Sequence, residues 1–582
     1  MVRSSIPCMI KWDSREEGMK ITFCGAAESV TGSCHLIETS AEGAGTSFLL
    51  DCGQFQGSAK QEAQNFDPFP FDPARVDFLI LSHAHIDHCG RIPLLVKRGF
   101  QGRIYCTKAT ADLLPIMLRD SAHIHEKDAE WKNRKGQRSG KEPVEPLYTS
   151  DDAEASLAMV TPALYDQEIV PADGVRFSFV DAGHLLGSAI IEVKIKEGDT
   201  ETKLVYTGDL GADSKPLLRF PVKIRQADIV MMETTYGDRL HEKSGPSVER
   251  LAEIIERTTK RGGTVLIPSF AVGRTQELIY ELNKFYDIKE GSHASFAEIK
   301  VYIDSPMAVA ATEVFRRNIQ DFDEEYKAIV MSGVDPLDFT NLVFTRSTEE
   351  SKELNADMGP KIIISASGMC DNGRIRHHLK HRLWDNRSTV VFVGYQSEGT
   401  LGRKLVDGVK TVSLFGEEIE VNAEIVSLEG FSSHADRDGL IDWVRGFDKP
   451  PSVLFLVHGE AAAKAAFAET LKDRFGIDAI VIEEISGYEY IPGEPAHSEG
   501  LRGGTEDHGV RMAVDPEDRD RLLAKLRDIN DNVEGLLYRA KLAAVDAADG
   551  GDEQSYTALK NIIASLESET TKLAGELVRR KN

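Results

Sequence analysis

Residues 81–90 read Leu81-Ser82-His83-Ala84-His85-Ile86-Asp87-His88-Cys89-Gly90, which places three histidines and one aspartate within six residues. They follow the apolar run 76–81, so the cluster is expected where a β-strand ends and a loop begins. In a loop, all four side chains can converge on one point. Neutral imidazole and carboxylate are good zinc ligands, and so dense a cluster is costly unless a metal holds it. The stretch therefore predicts a metal site at the end of a strand.

Polar residues also stand at the ends of other apolar runs. Asp51 closes the run Phe48-Leu49-Leu50, Asp209 follows Tyr206-Thr207-Gly208, and His458 ends Leu454-Phe455-Leu456-Val457; His184 lies in a glycine-containing turn. Open α/β sheets place their chemistry at the carboxyl ends of strands. One such residue is usually a cap or turn residue, but four of them beside the dense cluster favour a shared site.

Short β-rich runs alternate with amphipathic stretches, which predicts an α/β fold. The segment 121–152 is polar and contains two prolines, so we expect a long surface excursion there. Two helices are predicted, Arg274–Tyr286 and Ala461–Phe475. The predicted strands are Ser47–Asp51, Val76–Ser82, Lys203–Thr207, Asp228–Glu233, Thr264–Pro268, Lys300–Asp304, Lys361–Ser365, Ser388–Gly394 and Ser452–His458.

The composition indicates a soluble protein of two or three domains. The chain has 582 residues, of which 41% are hydrophobic and 28% are charged. No apolar run is long enough to cross a bilayer, and residues 1–18 lack a signal-peptide pattern, so we expect a cytoplasmic location and no membrane partner. The net charge of −25 argues weakly against a nucleic-acid partner, although bound divalent metals would add positive charge among acidic ligands.

The cysteines argue that the metal ligands are histidine and aspartate. Seven cysteines are scattered along the chain and form no C-x-x-C pair, which disfavours both a disulfide framework and a thiolate zinc site. They are Cys8, Cys24, Cys34, Cys52, Cys89, Cys106 and Cys370.

The pattern His83-x-His85-x-Asp87-His88 resembles the signature motif of the metallo-β-lactamase superfamily. This resemblance implies a four-layer αβ/βα sandwich with two zinc ions in the groove between its halves. It assigns His83, His85 and His184 to one metal, Asp87, His88 and His458 to the other, and Asp209 to a bridging position. Asp51 would orient ligands without binding metal.

Three further segments resemble motifs A, B and C of the β-CASP family: Met232–Arg239, Gly430–Asp436 and His458–Glu460. The stretches 268–274, 304–308 and 394–400 are similar to that family too, and the match runs from about Lys20 to Gly487. In such proteins a β-CASP domain interrupts the metallo-β-lactamase domain. The domains expected here are a metallo-β-lactamase domain in two parts, 19–238 and 413–491, with the insertion at 239–412.

The histidine at motif C indicates RNA as the substrate, because family members that act on DNA usually lack it. The chain is most similar to prokaryotic homologues of the eukaryotic pre-mRNA 3′-end-processing endonuclease. The resemblance implies a zinc-dependent ribonuclease for single-stranded RNA, acting in RNA processing or decay. Endonucleolytic and 5′-exonucleolytic cleavage both remain open. The alternatives are a metallohydrolase for a small ester or thioester and a catalytically inactive scaffold.

The expected mechanism is attack by hydroxide shared between the two zinc ions, which gives 5′-phosphate and 3′-hydroxyl ends. His434 is the candidate general acid, oriented by Glu233, and Asp87 and Asp209 complete the expected catalytic set. Residues 364–373 suit a backbone-NH phosphate cradle. The candidate phosphate contacts are Arg274, Ser367, Gly368, Arg403 and Lys404.

The C-terminal tail carries a separate periodic pattern. Residues 492–514 are typical of a linker, and residues 515–582 are expected to form a helical tail, with apolar residues spaced alternately by four and three. The spacing fits a helical hairpin with a coiled-coil seam. Packing against the catalytic domain and dimerisation of two chains both remain open. The periodic residues begin with Leu522, Leu526, Ile529, Val533 and Leu536.

Overall fold

The computed structural model describes residues 18–491, apart from residues 28 and 398 and the segments 40–44, 138–141, 213–214, 242–243 and 288–297. The predicted linker and helical tail therefore lie outside the described residues. Within the described part, no helix is both long enough and apolar enough to span a membrane.

The described residues form 22 strands, which belong to two seven-stranded sheets, one six-stranded sheet and one hairpin. The strands are β1 (Met19–Phe23), β2 (His35–Glu38), β3 (Ser47–Leu50), β4 (Phe78–Ile80), β5 (Arg103–Thr107), β6 (Val160–Ala163), β7 (Ile169–Ala172), β8 (Val175–Asp181), β9 (Ala189–Glu197), β10 (Thr200–Tyr206), β11 (Ile229–Glu233), β12 (Thr264–Pro268), β13 (Val301–Ile303), β14 (Leu342–Phe344), β15 (Lys361–Ser365), β16 (Thr389–Phe392), β17 (Thr411–Leu414), β18 (Glu417–Glu420), β19 (Glu424–Ser427), β20 (Val453–Val457), β21 (Ile480–Val481) and β22 (Ser486–Tyr490).

Helices cover the outer faces of these sheets. They are α1 (Ala59–Ala63), α2 (Ile86–Cys89), α3 (Ile92–Lys97), α4 (Lys108–Gln137), α5 (Ser150–Leu157), α6 (Ser244–Lys260), α7 (Arg274–Asp287), α8 (Pro306–Arg317), α9 (Glu324–Met331), α10 (Thr348–Ala356), α11 (Ile375–Arg382), α12 (Leu401–Val406), α13 (Arg437–Val444) and α14 (Ala461–Phe475).

Alternation along the strands explains the layers of the sandwich. The first sheet has the order β22-β1-β2-β3-β4-β5-β6 and the second β21-β20-β11-β10-β9-β8-β7. Successive side chains of a strand point to opposite faces. Phe48 and Leu50 accordingly pack in the core shared by the two sheets, whereas Leu49 packs in the cluster that includes residues of α3 and α4. On the second sheet, Phe455 joins the shared core and Leu454 packs with α13 and α14. The expected four-layer sandwich is therefore confirmed.

The two ends of the described chain complete the same sandwich. β22 pairs with β1 in antiparallel register, with Ile21 opposite Tyr488, and β20 pairs in parallel with β11. The segment after the insertion thus contributes β22 to the first large sheet and β20 and β21 to the second. Because these strands pair across the insertion, apolar runs separated by more than 200 residues of sequence belong to one core.

The third sheet is the core of the inserted α/β unit. Its order is β14-β13-β15-β12-β16-β19, and all of its strands are parallel. β12 and β15 are buried along their whole length, as expected for strands covered by helices on both faces. The last strand, Glu424–Ser427, lies beyond the predicted boundary at residue 412. We therefore propose that the inserted domain ends after β19.

The expected surface excursion at 121–152 is wrong in its first half. Residues 121–137 form the second half of α4, where Ser121, Ala122 and Ala129 are buried. The two prolines that suggested a loop stand beyond the helix, and an exposed pair between Lys127 and Glu130 spans one turn of it. The buried face of this part of the helix is narrow and consists of small residues. Few large apolar residues mark it, so the helical periodicity of apolar residues is easily missed in the sequence.

Candidate metal centre and its groove

The ends of five strands bring polar side chains to one edge of the sandwich. Asp51 follows β3, His83 is the third residue after β4, His184 follows β8, Asp209 follows β10 and His458 follows β20. All five are buried. Asp51 and His458 have positive φ angles of 62° and 47°. A non-glycine residue rarely adopts this conformation, and such strain tends to cluster at functional sites.

A single helical turn presents the rest of the histidine motif. His85 is the N-cap of α2, and Asp87 and His88 lie within it. The turn is pressed against the loop after β3, where a Cβ on Gly53 would lie 1.6 Å from the carbonyl oxygen of Asp87. Only glycine permits so close an approach of two backbones. Gly53 therefore fixes the position of the turn that carries two of the predicted ligands.

The predicted ligands form two groups whose ligand atoms lie within 4.8 Å of one another: His83, His85, His184 and Asp209 in one, and Asp87, His88 and His458 in the other. Asp209 lies between the groups. Its Oδ2 is 3.5 Å from His83 Nε2, and its Oδ1 is 3.2 Å from His88 Nε2. This placement suits the predicted role of Asp209 as a bridging carboxylate, which stays a prediction.

The backbone and neighbouring side chains set the orientation of three rings. The Nδ1–H of His184 donates to the carbonyl oxygen of Ser433 at 3.2 Å, and the Nδ1–H of His88 donates to Asp51 at 2.7 Å. The Nδ1–H of His83 donates to the Ser82 hydroxyl at 3.1 Å. In its neutral form, each ring consequently turns an unprotonated Nε2 toward its group. Such partners fix the tautomer of metal-binding histidines.

The spacing of these nitrogens fits a metal. His85 Nδ1 lies 3.1 Å from His83 Nε2 and 3.1 Å from His184 Nε2, and His88 Nε2 lies 3.2 Å from His458 Nε2. A cation between two such nitrogens would bind the lone pair of each. Two ligands at a Zn–N distance of about 2.0–2.1 Å in tetrahedral geometry are about 3.3 Å apart. Asp209 Oδ1 is also buried and accepts no hydrogen bond in the described structure, which leaves it free for a cation.

The protonation states agree with this interpretation. Burial lowers the pKa of His83 and His184 well below the ordinary value and that of His85 to about 4, so these imidazoles are neutral and can bind metal. Burial would lower the pKa of His88 as well, but Asp209 and Asp51 outweigh it and raise that pKa. The second group therefore attracts positive charge, which a proton or a metal can supply.

Asp51 lies behind the ligands and touches three groups. It accepts hydrogen bonds from His88 Nδ1 at 2.7 Å, from the Ser82 hydroxyl at 2.8 Å and from the Tyr206 hydroxyl at 2.8 Å. It belongs to neither ligand group. This agrees with the expected role of a residue that orients His88.

His434 and Glu233 form a pair at the edge of the site. His434 Nδ1 lies 3.2 Å from both carboxylate oxygens of Glu233, and His434 Nε2 lies 4.0 Å from Asp209. Leu210 N and the Thr235 hydroxyl also donate to Glu233, which holds the carboxylate in place. Burial would lower the pKa of His434, but Glu233 and Asp209 outweigh it and raise that pKa. A protonated imidazole beside the ligands suits a general acid.

A groove of about 210 Å³ lies over the ligands and is walled by both α/β units. Arg274 and Gly368 line it, as predicted, and Ser367 lines an adjoining cavity. Arg274 donates to Glu277 at 2.5 Å. Arg403 and Lys404 lie on α12 and line neither space within the described part of the chain. The roles of all five as RNA contacts stay predictions.

Some residues of the groove carry no sequence signal. Lys215 is half-buried near Glu277 and Arg274 and lines the groove, but it belongs to no motif. Phe270 also lines the groove, and its side chain is 45% exposed. Phe270 lies in the stretch 268–274 that resembles the β-CASP family, but its exposure follows only from the fold. No cysteine belongs to the ligand groups among the described residues.

Comparison with known families gives three matches along the chain. Residues 29–254 match the metallo-beta-lactamase superfamily, residues 275–405 match the Beta-Casp domain, and residues 418–482 match the Zn-dependent metallo-hydrolase RNA specificity domain. The first segment contains all of the ligands except His458, which lies in the third. The matches follow the order of a split domain with an insertion.

Individual relatives cover most of the chain. Ribonuclease TTHA0252 of Thermus thermophilus is 40% identical over 78% of this chain and 96% of its own length. Transcription termination factor FttA of Methanocaldococcus jannaschii is 33% identical over 78% of this chain and 69% of its own length. An RNase J-like protein of the same archaeon is 31% identical over 78% of this chain and 95% of its own length.

Proposed function

The chain belongs to the β-CASP family of the metallo-β-lactamase superfamily, and from this membership we propose that it is a zinc-dependent ribonuclease for single-stranded RNA. The observation that carries the proposal is the set of seven ligands in two groups joined by Asp209, with the His434–Glu233 pair beside it. The relative named as a ribonuclease, 40% identical, supports RNA as the substrate.

Two zinc ions held by the ligand groups would supply Lewis-acid stabilisation of phosphoryl oxygens and a nucleophile at neutral pH. One ion would be held by His83, His85 and His184. The other would be held by Asp87, His88 and His458, and Asp209 would bind both ions. Asp51 keeps His88 in the tautomer whose Nε2 faces the metal. None of the proposed ligands is a cysteine.

His434 supplies the proton that the leaving group needs. In the proposed reaction the bond between phosphorus and the 3′-oxygen breaks, and the His434 Nε2–H is transferred to that oxygen. Glu233 faces His434 Nδ1 and stabilises the protonated ring. The products are then a 3′-hydroxyl and a 5′-phosphate. RNA processing or decay is the role that this chemistry serves.

The groove favours RNA over a small ester or thioester. Its walls come from both α/β units and include Arg274 and Lys215. Arg274 carries a positive charge, which attracts phosphate groups, whereas burial lowers the pKa of Lys215 to about 7. A small-molecule hydrolase would need neither this second wall nor the His434–Glu233 pair. An inactive scaffold would not need to retain complete ligand groups.

A single assay separates these functions and also the mode of cleavage. A single-stranded RNA carrying either a 5′-hydroxyl or a 5′-monophosphate, with an internal label, is incubated with the zinc-loaded protein, and a thioester is tested in parallel. We expect RNA fragments and an intact thioester. Fragments of several sizes from both RNAs would establish endonucleolytic cleavage, whereas mononucleotides from the monophosphate alone would establish the 5′-exonucleolytic mode. Thioester hydrolysis with intact RNA would overturn the proposal.

A further inference from the structure

A second cavity, which we call the side cavity, adjoins the groove where α4 passes it. Its volume of about 360 Å³ lies within the range of small-ligand pockets, roughly 300–1,000 Å³. The groove and the side cavity share a wall, because four residues line both spaces: His85, Ile86, Met117 and Phe270. A strand that crosses the metal ligands could thus place one nucleotide unit in the side cavity.

The two spaces differ in charge. The groove is lined by side chains of both signs, with Asp87 and Asp209 beside Lys215 and Arg274, and two bound zinc ions would make it positive. The side cavity is lined by four carboxylates and one basic side chain, which are Glu62, Asp120, Asp128, Glu145 and Lys132. The metal-loaded groove would therefore attract phosphate groups, whereas the side cavity repels them. The part of an RNA strand that suits the side cavity is therefore an uncharged base.

Several polar atoms in the side cavity have no partner within the described chain. Asp120 is half-buried and forms neither a hydrogen bond nor an ion pair there, and the Ser367 hydroxyl is buried without a hydrogen-bond partner. His125 Nε2 lies 2.7 Å from the Gln54 amide nitrogen, which is also within hydrogen-bond distance of the Gly90 carbonyl oxygen and of the Ser121 and Tyr148 hydroxyls. In the tautomer in which Nε2 accepts from this amide, the proton of His125 lies on Nδ1, which is then a donor.

Aromatic rings stand at the cavity's edge. Phe270 is 45% exposed and Phe66 is 56% exposed, and both line the side cavity. Phe270 is supported from behind by Gly368, where a Cβ would lie 3.2 Å from Phe270 Cδ2. Exposed aromatic rings are the platforms on which proteins stack unpaired bases.

We propose that the side cavity binds one base of the RNA strand, next to the cleaved phosphate, and selects bases that carry an exocyclic amino group. This inference rests on the proposed ribonuclease function. The amino group donates to Asp120, ring nitrogens accept from His125 Nδ1 or the Ser367 hydroxyl, and the base stacks on Phe270. Uracil lacks the amino group and would turn a carbonyl oxygen toward the carboxylate.

The test compares RNAs that differ by one amino group. Two sets of single-stranded RNA are used, one for each of the two nucleotides that flank the cleaved bond. Within each set, that nucleotide is either adenosine or purine riboside, which lacks the 6-amino group. We expect kcat/KM to favour adenosine by about ten- to a hundredfold at one of these positions, the range for one hydrogen bond to a charged group. At the other position the two RNAs should be cut equally.

Asp120→Ala should remove this preference, whereas Glu130→Ala should keep it. Glu130 lies on the same helix and pairs with Lys127 at the exposed surface, which makes it the matched control. Equal cleavage of both RNAs at both positions by the unmodified protein would overturn the inference without the need for a variant. So would a preference that survives in Asp120→Ala.

Failure of base selection in the side cavity can be distinguished from failure of the proposed ribonuclease activity. If the metal-loaded protein cuts no RNA, the ribonuclease proposal fails, and the same ratio is then read from equilibrium binding of the intact RNAs by fluorescence anisotropy. A tenfold preference for adenosine in binding would support the base site even then. No preference in binding would contradict it.

Discussion

At the level of single side chains, the metal ligands carry the clearest prediction. His83→Ala should lower the zinc content of the purified protein and abolish RNA cleavage, because His83 faces both His85 and Asp209 at ligand distances. Zinc content is measured by atomic emission and cleavage by gel. Cys89→Ser is the matched control, since Cys89 is equally buried beside His88 but belongs to no ligand group. Unchanged zinc in His83→Ala would contradict the ligand assignment.

The second prediction at this level concerns His434. His434→Ala should keep its zinc and still bind RNA, yet cleave it about a hundred- to ten-thousandfold more slowly, because a general acid is lost while the ligand groups stay complete. The loss should shrink when the leaving 3′-oxygen is replaced by sulfur, since a thiolate leaves without a proton. Equal losses on both substrates, measured in single turnover, would show that His434 positions the RNA instead.

Local sequence pattern identified most of the metal site because its ligands stand at strand ends and within one short motif. His83, Asp87 and His88 lie within six residues, and a pattern of that density is visible without a structure. Lys215 and Asp120 are different, because their roles depend on which cavity each faces. Only tertiary packing decides that.

At the level of the elements, the inserted sheet depends on a buried charge at the end of β13. Asp304 accepts hydrogen bonds from His378 and Ser351 at 2.6 Å and from Thr345 at 2.5 Å, and it pairs with Arg374 at 2.6 Å. Burial would raise the pKa of Asp304, but these hydrogen bonds outweigh it and hold the pKa well below the usual range. The network joins β13 to α10 and α11.

Asp304→Asn should destabilise the protein by roughly 3–5 kcal/mol, because removing one charge leaves buried partners uncompensated. Urea unfolding monitored by circular dichroism measures the change. Asp407→Asn, which removes an exposed pair with Arg403, should cost less than about 1 kcal/mol. Because the folded-state pKa of Asp304 is depressed, its contribution should be present above about pH 4 and be lost as the pH falls below that. Equal losses in the two variants would contradict the account.

The predicted strands and helices are all present. Among the nine strands, Thr264–Pro268 and Lys361–Ser365 have the predicted bounds. Of the two helices, Ala461–Phe475 has the predicted bounds, and the helix that begins at Arg274 ends one residue later than predicted. The strands are short, apolar and bounded by turn residues, so their pattern is local. The second half of α4 was missed because its buried face consists of small residues. Its helical character depends on packing against the rest of the domain.

For the whole molecule, the split domain was predictable only through family motifs. Composition and periodicity indicate α/β architecture, but nothing local to β22 indicates that it pairs with β1 across the entire chain. The predicted segments 492–514 and 515–582 lie outside the described residues, and their character as linker and helical tail stays a prediction.

Deletion of residues 516–582 should leave a folded, zinc-loaded catalytic core. The sandwich already has both of its large sheets within the described residues, and its last strand ends at Tyr490. We expect the truncated chain to keep its zinc and its melting temperature, with a change in oligomeric state or RNA affinity. Calorimetry and light scattering measure these properties. Loss of zinc or of cooperative unfolding would show that the tail belongs to the catalytic fold.

We have proposed that the two ligand groups joined by Asp209 make this chain a zinc-dependent ribonuclease. Its rate of single-stranded RNA hydrolysis is to be measured before chelation, after chelation and after zinc is restored. We expect cleavage to stop with chelation, to return when about two zinc ions per chain are bound, and to yield 5′-phosphate ends. Cleavage that persists in the metal-free protein, or zinc binding that restores no cleavage, would contradict it.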